Sequence, residues 1–222
     1  MLQVIGQLLP LAVALAVSSV PIMATLLILL SPGRTRSALP FLTGWVIGMA
    51  LVVSICAVAA QAVPTSRSSH RPDPAIGIAE ILVGVALAVV AVVTLRGRRR
   101  QAATALPKWL RSVGTIGPWS AFGLALILNV RPKGLLLAIA AGLALRAEGL
   151  SLGESVVAVT FYTIVGASTV AAPIIATVAA PDRTAVPLRD AQDWLLRNGP
   201  VATSIIVIVI AAAVIGTGIA RL

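Results

Sequence analysis

Arg131, Pro132 and Lys133 stand together inside an apolar segment, N-V-R-P-K-G-L-L-L-A-I-A-A-G, that runs from Asn129 to Gly142. A cation at the centre of a membrane helix costs roughly 2.5–3.5 kcal/mol on insertion scales, and a proline there removes a backbone hydrogen bond. Residues with both costs are read first as a functional site facing the interior of a bundle rather than lipid. Glu80 is the one acidic residue well inside an apolar run, and it could be their structural counter-charge, a substrate or proton site, or an interfacial residue facing lipid. Ser18 and Ser19 precede Pro21 and can donate to carbonyls freed by that proline, or to a ligand. Asn129 opens the charged segment, while Tyr162, Ser168 and Thr169 are weaker polar candidates further along.

The elements that must position these groups are membrane helices. Of 222 residues 59% are apolar and 11% charged, with a mean hydropathy of +1.03 and several apolar runs near the length of a span. The ten-residue alternating segments of a transmembrane β-barrel are absent. Six spans are expected, over 4–30, 38–63, 74–95, 118–146, 151–180 and 198–220, with breaks at Pro21, Pro132 and Pro173. The first apolar run is too long for a signal-peptide core and reads as a retained helix.

The net charge of +10 is read by position. Arg34 and Arg36, then Arg96, Arg98, Arg99, Arg100, Lys108 and Arg111, then Arg183, Arg189 and Arg197 fall in the odd-numbered connections, which makes those cytoplasmic and turns both termini outward. The charge is therefore topogenic, and nothing supports a nucleic-acid partner. Within the basic loop, Leu106, Trp109, Leu110, Val113 and Ile116 recur at helical spacing, as in an interfacial helix; the cations there could also hold anionic membrane lipids. Gly44 and Gly48 allow close helix approach, either within the chain or in a homodimer.

Cys56 is the lone cysteine, so a disulfide framework or thiolate cluster within the chain is excluded. Glu80 stands alone inside the spans and His70 lies in a loop, which argues against a metal site. No nucleotide-binding motif or catalytic His–carboxylate–Ser set is present, so neither a cofactor nor an enzyme is expected.

Pro21 and Pro132 are half a chain apart. Three spans per half is an odd number, so two similar halves would lie inverted in the membrane, with the binding site where their discontinuous helices meet. The expected organisation is a single transmembrane domain over 1–222: a first three-helix repeat over 1–95, a basic cytoplasmic loop over 96–117, and a second repeat over 118–222. At 1.5 Å per residue, Glu80 and Arg131 fall about 9 and 10 Å below the outer surface, close enough in depth to pair.

Three blocks carry a resemblance: S-S-V-P-I-M-A-T-L-L-I-L-L-S-P-G-R-T-R-S-A-L-P-F-L-T-G-W-V-I-G from Ser18 to Gly48, L-P-K-W-L-R-S-V from Leu106 to Val113, and R-P-K-G-L-L-L-A-I-A-A-G from Arg131 to Gly142. Together they resemble the GAP or Sap family, the peptidoglycolipid- and sulfolipid-addressing proteins of mycobacteria and their relatives, placed in the LysE exporter superfamily. The resemblance implies a LysE-like, all-α polytopic protein of the plasma (inner) membrane that helps move an envelope glycolipid or its precursor. It carries over Pro21, Pro132 and Lys133. The superfamily's usual Asn-Pro-Lys-Asn is replaced by Arg131, Pro132, Lys133 and Gly134, and Ser19 stands where a first proline is often found. Two alternatives stay open: a LysE-type exporter of a small solute such as an amino acid, and a non-transporting scaffold that docks a lipid synthase or larger exporter.

Overall fold

The computed structural model describes residues 2–31, 33–62, 74–100, 116–148 and 150–222. Among them all regular structure is helical: α1 (Leu2–Ala16), α2 (Ser19–Leu29), α3 (Arg34–Ala60), α4 (Pro74–Arg100), α5 (Pro118–Asn129), α6 (Pro132–Ala147), α7 (Leu152–Ala179) and α8 (Pro181–Ile219). Four stretches are long and apolar enough to cross a bilayer, Arg36–Ala60, Pro74–Arg96, Leu152–Ala179 and Val201–Ile219, and there are six if each bent pair, α1–α2 and α5–α6, is one span. The chain is an all-α polytopic membrane protein.

Buried positions follow the helical repeat. Phe41, Trp45, Met49 and Val53 recur every four residues on α3 and are each 1% exposed or less. The outer surface is apolar as well, with Ile55, Val58, Leu82 and Val93 all exposed, as expected where lipid is the solvent. α3 packs along α5 and α6, α7 packs along α1 and α2, and α4 lies along α8.

Small residues set the closest approaches. A Cβ at Gly44 would stand 2.6 Å from the Phe122 carbonyl oxygen, and one at Gly48 would stand 2.7 Å from Asn129 Nδ2, so this glycine pair serves packing of α3 on α5 within the chain. At Gly142 a Cβ would meet the Cys56 carbonyl carbon at 2.7 Å and the Ala57 nitrogen at 2.9 Å. Those atoms are backbone and cannot rotate away. Gly142→Val is expected to separate α6 from α3 and lower stability by about 3 kcal/mol, the upper part of the usual overpacking range, as read by denaturant titration in detergent.

The two breaks bend the chain by 49° between α1 and α2 and by 62° between α5 and α6. In an uninterrupted helix the Val17 carbonyl would accept the N–H of residue 21, but that residue is proline. Thr203 of α8 takes its place, donating its hydroxyl to Val17 O at 2.8 Å, and Thr169 of α7 donates to Ala16 O at 2.6 Å. The expectation placed Ser18 and Ser19 in this role. Ser18 instead sits at the N-cap of α2 without a side-chain capping bond. The Thr169→Val/Thr203→Val double variant is expected to cost about 1 kcal/mol, since such bonds average about 0.6 kcal/mol in membranes, in the same titration.

Two element assignments change. α7 runs through Pro173 unbroken, and the Thr177 hydroxyl donates to the Pro173 carbonyl at 2.7 Å. The segment read as a loop before the sixth span is the first half of α8, a helix of 39 residues. Leu188 and Leu195, seven apart, bury its inner face while Val186 and Trp194 stay exposed, an amphipathic pattern masked by the local charge. The interfacial helix expected around Trp109, and the loop with Arg67 and His70, lie outside the described residues.

Candidate functional site

The α5–α6 break places Arg131 at the N-cap of α6 with extended backbone, φ −68° and ψ 150°, and Pro132 in the first helical position. A proline is pre-organised there because its missing N–H had no intrahelical acceptor. Asn129 closes α5. Only 3% exposed, it donates both amide hydrogens, to the Trp45 carbonyl at 3.3 Å and the Ala125 carbonyl at 2.9 Å, which locks the end of α5 to α3. Gly134 keeps the break tight, because a Cβ there would meet Asn129 O at 2.8 Å. The same Cβ would lie 3.9 Å from Leu15 Cδ1, so the first turn of α6 approaches the end of α1 just ahead of the other break.

The two cations part company. Arg131 and Pro132 are exposed, whereas Lys133 Nζ is buried and has no hydrogen-bond partner among the described residues. Two further buried polar atoms share that condition, Trp45 Nε1 on α3 and the hydroxyl of the fully buried Tyr162 on α7. Ser168 and Thr169 are accounted for by hydrogen bonds to backbone carbonyls of Val165 and Ala16. A lysine in the first turn of a half-helix, where the leading N–H groups have no intrahelical acceptor, is an arrangement that can hold an anion.

Glu80 is buried, 4% exposed, but belongs to a different cluster. Its Oε2 lies 3.2 Å from Arg221 Nε, an ion pair rather than an aligned hydrogen bond. Arg221 Nη2 lies 3.9 Å from Glu148 Oε1 and donates to Gln7 Oε1 at 3.5 Å, and Gln7 Nε2 donates to Glu148 Oε1 at 3.4 Å. Residues of α1, α4, the end of α6 and the end of the chain are thus tied together at one end of the bundle. The expected Glu80–Arg131 pair is therefore corrected. Glu148, at the far end of α6, lies about 24 Å along that helix from the break, and the depth estimate failed because α5 and α6 are not collinear. Beneath the cluster lies an apolar cavity of ≈ 200 Å³, bounded by Leu11, Ala140, Ala144 and Val214.

Sequence reasoning missed Gln7, Glu148 and Arg221. The available signal was that each lies at the end of a span on the same side as Glu80. Among the described residues no group of three or more His, Cys, Asp or Glu could hold a metal ion.

Fold and site together define a polytopic helical membrane protein with two bent helix pairs, α1–α2 and α5–α6, and a buried ammonium at the second bend. A family model described as Sap, sulfolipid-1-addressing protein, matches residues 8–220, and the chain belongs to that family. No curated protein and no solved structure matches it.

Proposed function

We propose that this chain carries an acidic glycolipid of the cell envelope, sulfolipid-like, or its precursor, across the plasma membrane, with both termini outside and no enzymatic step. Membership of a family named for sulfolipid-1 supports this substrate class. The observation that carries the reading is Lys133 Nζ, buried near the start of α6 with no hydrogen-bond partner among the described residues. A buried cation is retained at a cost in stability, and an anionic headgroup entering the break would relieve it.

The two halves are taken as inverted repeats, α1–α4 and α5–α8. The packing of α3 on α5–α6 alongside that of α7 on α1–α2 supports this pairing. The headgroup sits between the breaks, held by Lys133 and the first turn of α6, with Arg131 drawing it in from the exposed side. Ser18, Ser19 and Asn129 line or shape the path around Pro21 and Pro132. Part of one acyl chain fits the apolar cavity beyond, under Glu80. Energy comes from an ion gradient or a partner protein.

The test is complementation of a deletion strain, with the acidic glycolipid resolved into inner and surface-exposed pools. The wild-type gene restores the surface pool, and Lys133→Gln leaves the lipid inside. Full surface delivery by a Lys133→Gln/Arg131→Gln variant that reaches the membrane would overturn the proposal.

A further inference from the structure

A second cavity, ≈ 340 Å³, opens between the last turns of α3, the end of α6 and the first turns of α7, within the size range of small-molecule sites. Ala57, Val58 and Val159 form an apolar wall. Ser54, Arg146 and Ser155 supply polar groups at the same opening. Arg146 lies in the last turn of α6, about 20 Å along that helix from Lys133, so this cavity is separate from the break.

The rim shows what fills the space. Val58 is 64% exposed and Val156 65% exposed, so the cavity opens sideways through an apolar edge. Ser54 lies six residues before the end of α3, about 9 Å inside the span. At that depth the surrounding medium is hydrocarbon, and an apolar wall is covered by lipid chains rather than water. A guanidinium at a helix end sits where headgroups lie. Arg146 already has an interaction within the protein, and a guanidinium with five N–H donors can take a headgroup beside it.

We propose that this cavity is a binding site for one acidic lipid of the bilayer, its chain along Ala57, Val58 and Val159 and its headgroup on Arg146. The proposal does not rest on the assignment of the break, since neither Arg131 nor Lys133 takes part. A headgroup charge on one arginine is worth about 1 kcal/mol, which gives roughly a fivefold preference for an acidic over a zwitterionic lipid.

The experiment is native mass spectrometry of the full chain released from nanodiscs of phosphatidylglycerol and phosphatidylcholine in equal amounts. The wild type is expected to retain one phosphatidylglycerol with that preference, Arg146→Lys to keep it, and Arg146→Gln to retain both lipids equally. Val159→Trp, which fills the cavity, is expected to lose the bound lipid, and Val58→Phe at the exposed rim provides a second filling variant should the first not fold. Leu82→Trp, at an exposed position on α4, leaves retention unchanged. Sulfatide, which carries the same charge on a different backbone, is expected to displace phosphatidylglycerol. The proposal is overturned if Arg146→Gln keeps the preference, if both filling variants retain the lipid, or if sulfatide fails to compete.

Discussion

Lys133→Gln is expected to make the protein more stable and less active at once. Its ammonium is buried with no hydrogen-bond partner among the described residues, and a central cation costs roughly 2.5–3.5 kcal/mol on insertion scales. Glutamine of similar length removes the charge while keeping a polar end at the break. Stability in detergent should therefore rise, by up to about that amount. A hydrogen bond to a charged group contributes about 1.5–3 kcal/mol, so losing the ammonium should lower surface delivery of the lipid at least about tenfold. A lysine that served only the fold would give the opposite pair of results, lower stability with delivery falling merely in proportion to folded protein. Measuring the unfolding midpoint and the surface lipid pool on the same variant separates the two.

Arg221→Met is expected to destabilise the terminal face by about 3 kcal/mol. Removing one member of a buried pair leaves an uncompensated charge, and the Glu80 side chain is only 5% exposed. Glu148 and Gln7 would lose their common partner in the same step. The double variant Glu80→Gln/Arg221→Met should recover most of the loss, because the charge that made Arg221 necessary is gone. A double-mutant cycle in thermal unfolding reads this directly. An Arg221→Met midpoint equal to the wild type would mean that Glu80 is held by something other than Arg221.

The parts of the structure legible in the sequence are those governed by local chemistry. A proline deprives the residue four before it of a donor wherever it falls, so the interruptions near Pro21 and Pro132 could be read without tertiary information. The cost of a cation in lipid marked Lys133 as a residue needing an explanation, and the Gly44/Gly48 spacing marked a close contact. What escaped depended on which helices meet. The donors that satisfy Ala16 and Val17 come from Thr169 and Thr203, on α7 and α8, whereas the nearby Ser18 makes no cap bond. Glu80 and Arg131 were matched by depth along straight helices, but the 62° bend breaks that ruler and leaves Glu80 to Arg221. Pro173 shows the converse error, because a helix can absorb a proline in its interior. In α8 the charges before the apolar run concealed a helical stripe formed by Leu188 and Leu195.

The Glu80 cluster and the break divide the labour within one bundle. The first holds the terminal ends of α1, α4, α6 and α8 together over an apolar cavity. The second sets an ammonium and a helix start where the two bent spans approach each other. Loss of the first should appear as instability, and, under the proposed function, loss of the second as lost lipid delivery by a stable protein.

Flux in proteoliposomes shows whether this chain itself carries an acidic glycolipid through the break. Purified protein would be reconstituted with sulfatide bearing a fluorescent acyl chain, and movement between leaflets followed by quenching from outside. Wild-type protein alone should accelerate the exchange of sulfatide, and Lys133→Gln should return it to the rate of protein-free vesicles. Wild-type vesicles no faster than empty ones, or a Lys133→Gln variant as fast as the wild type, would mean that the lipid does not cross through the break.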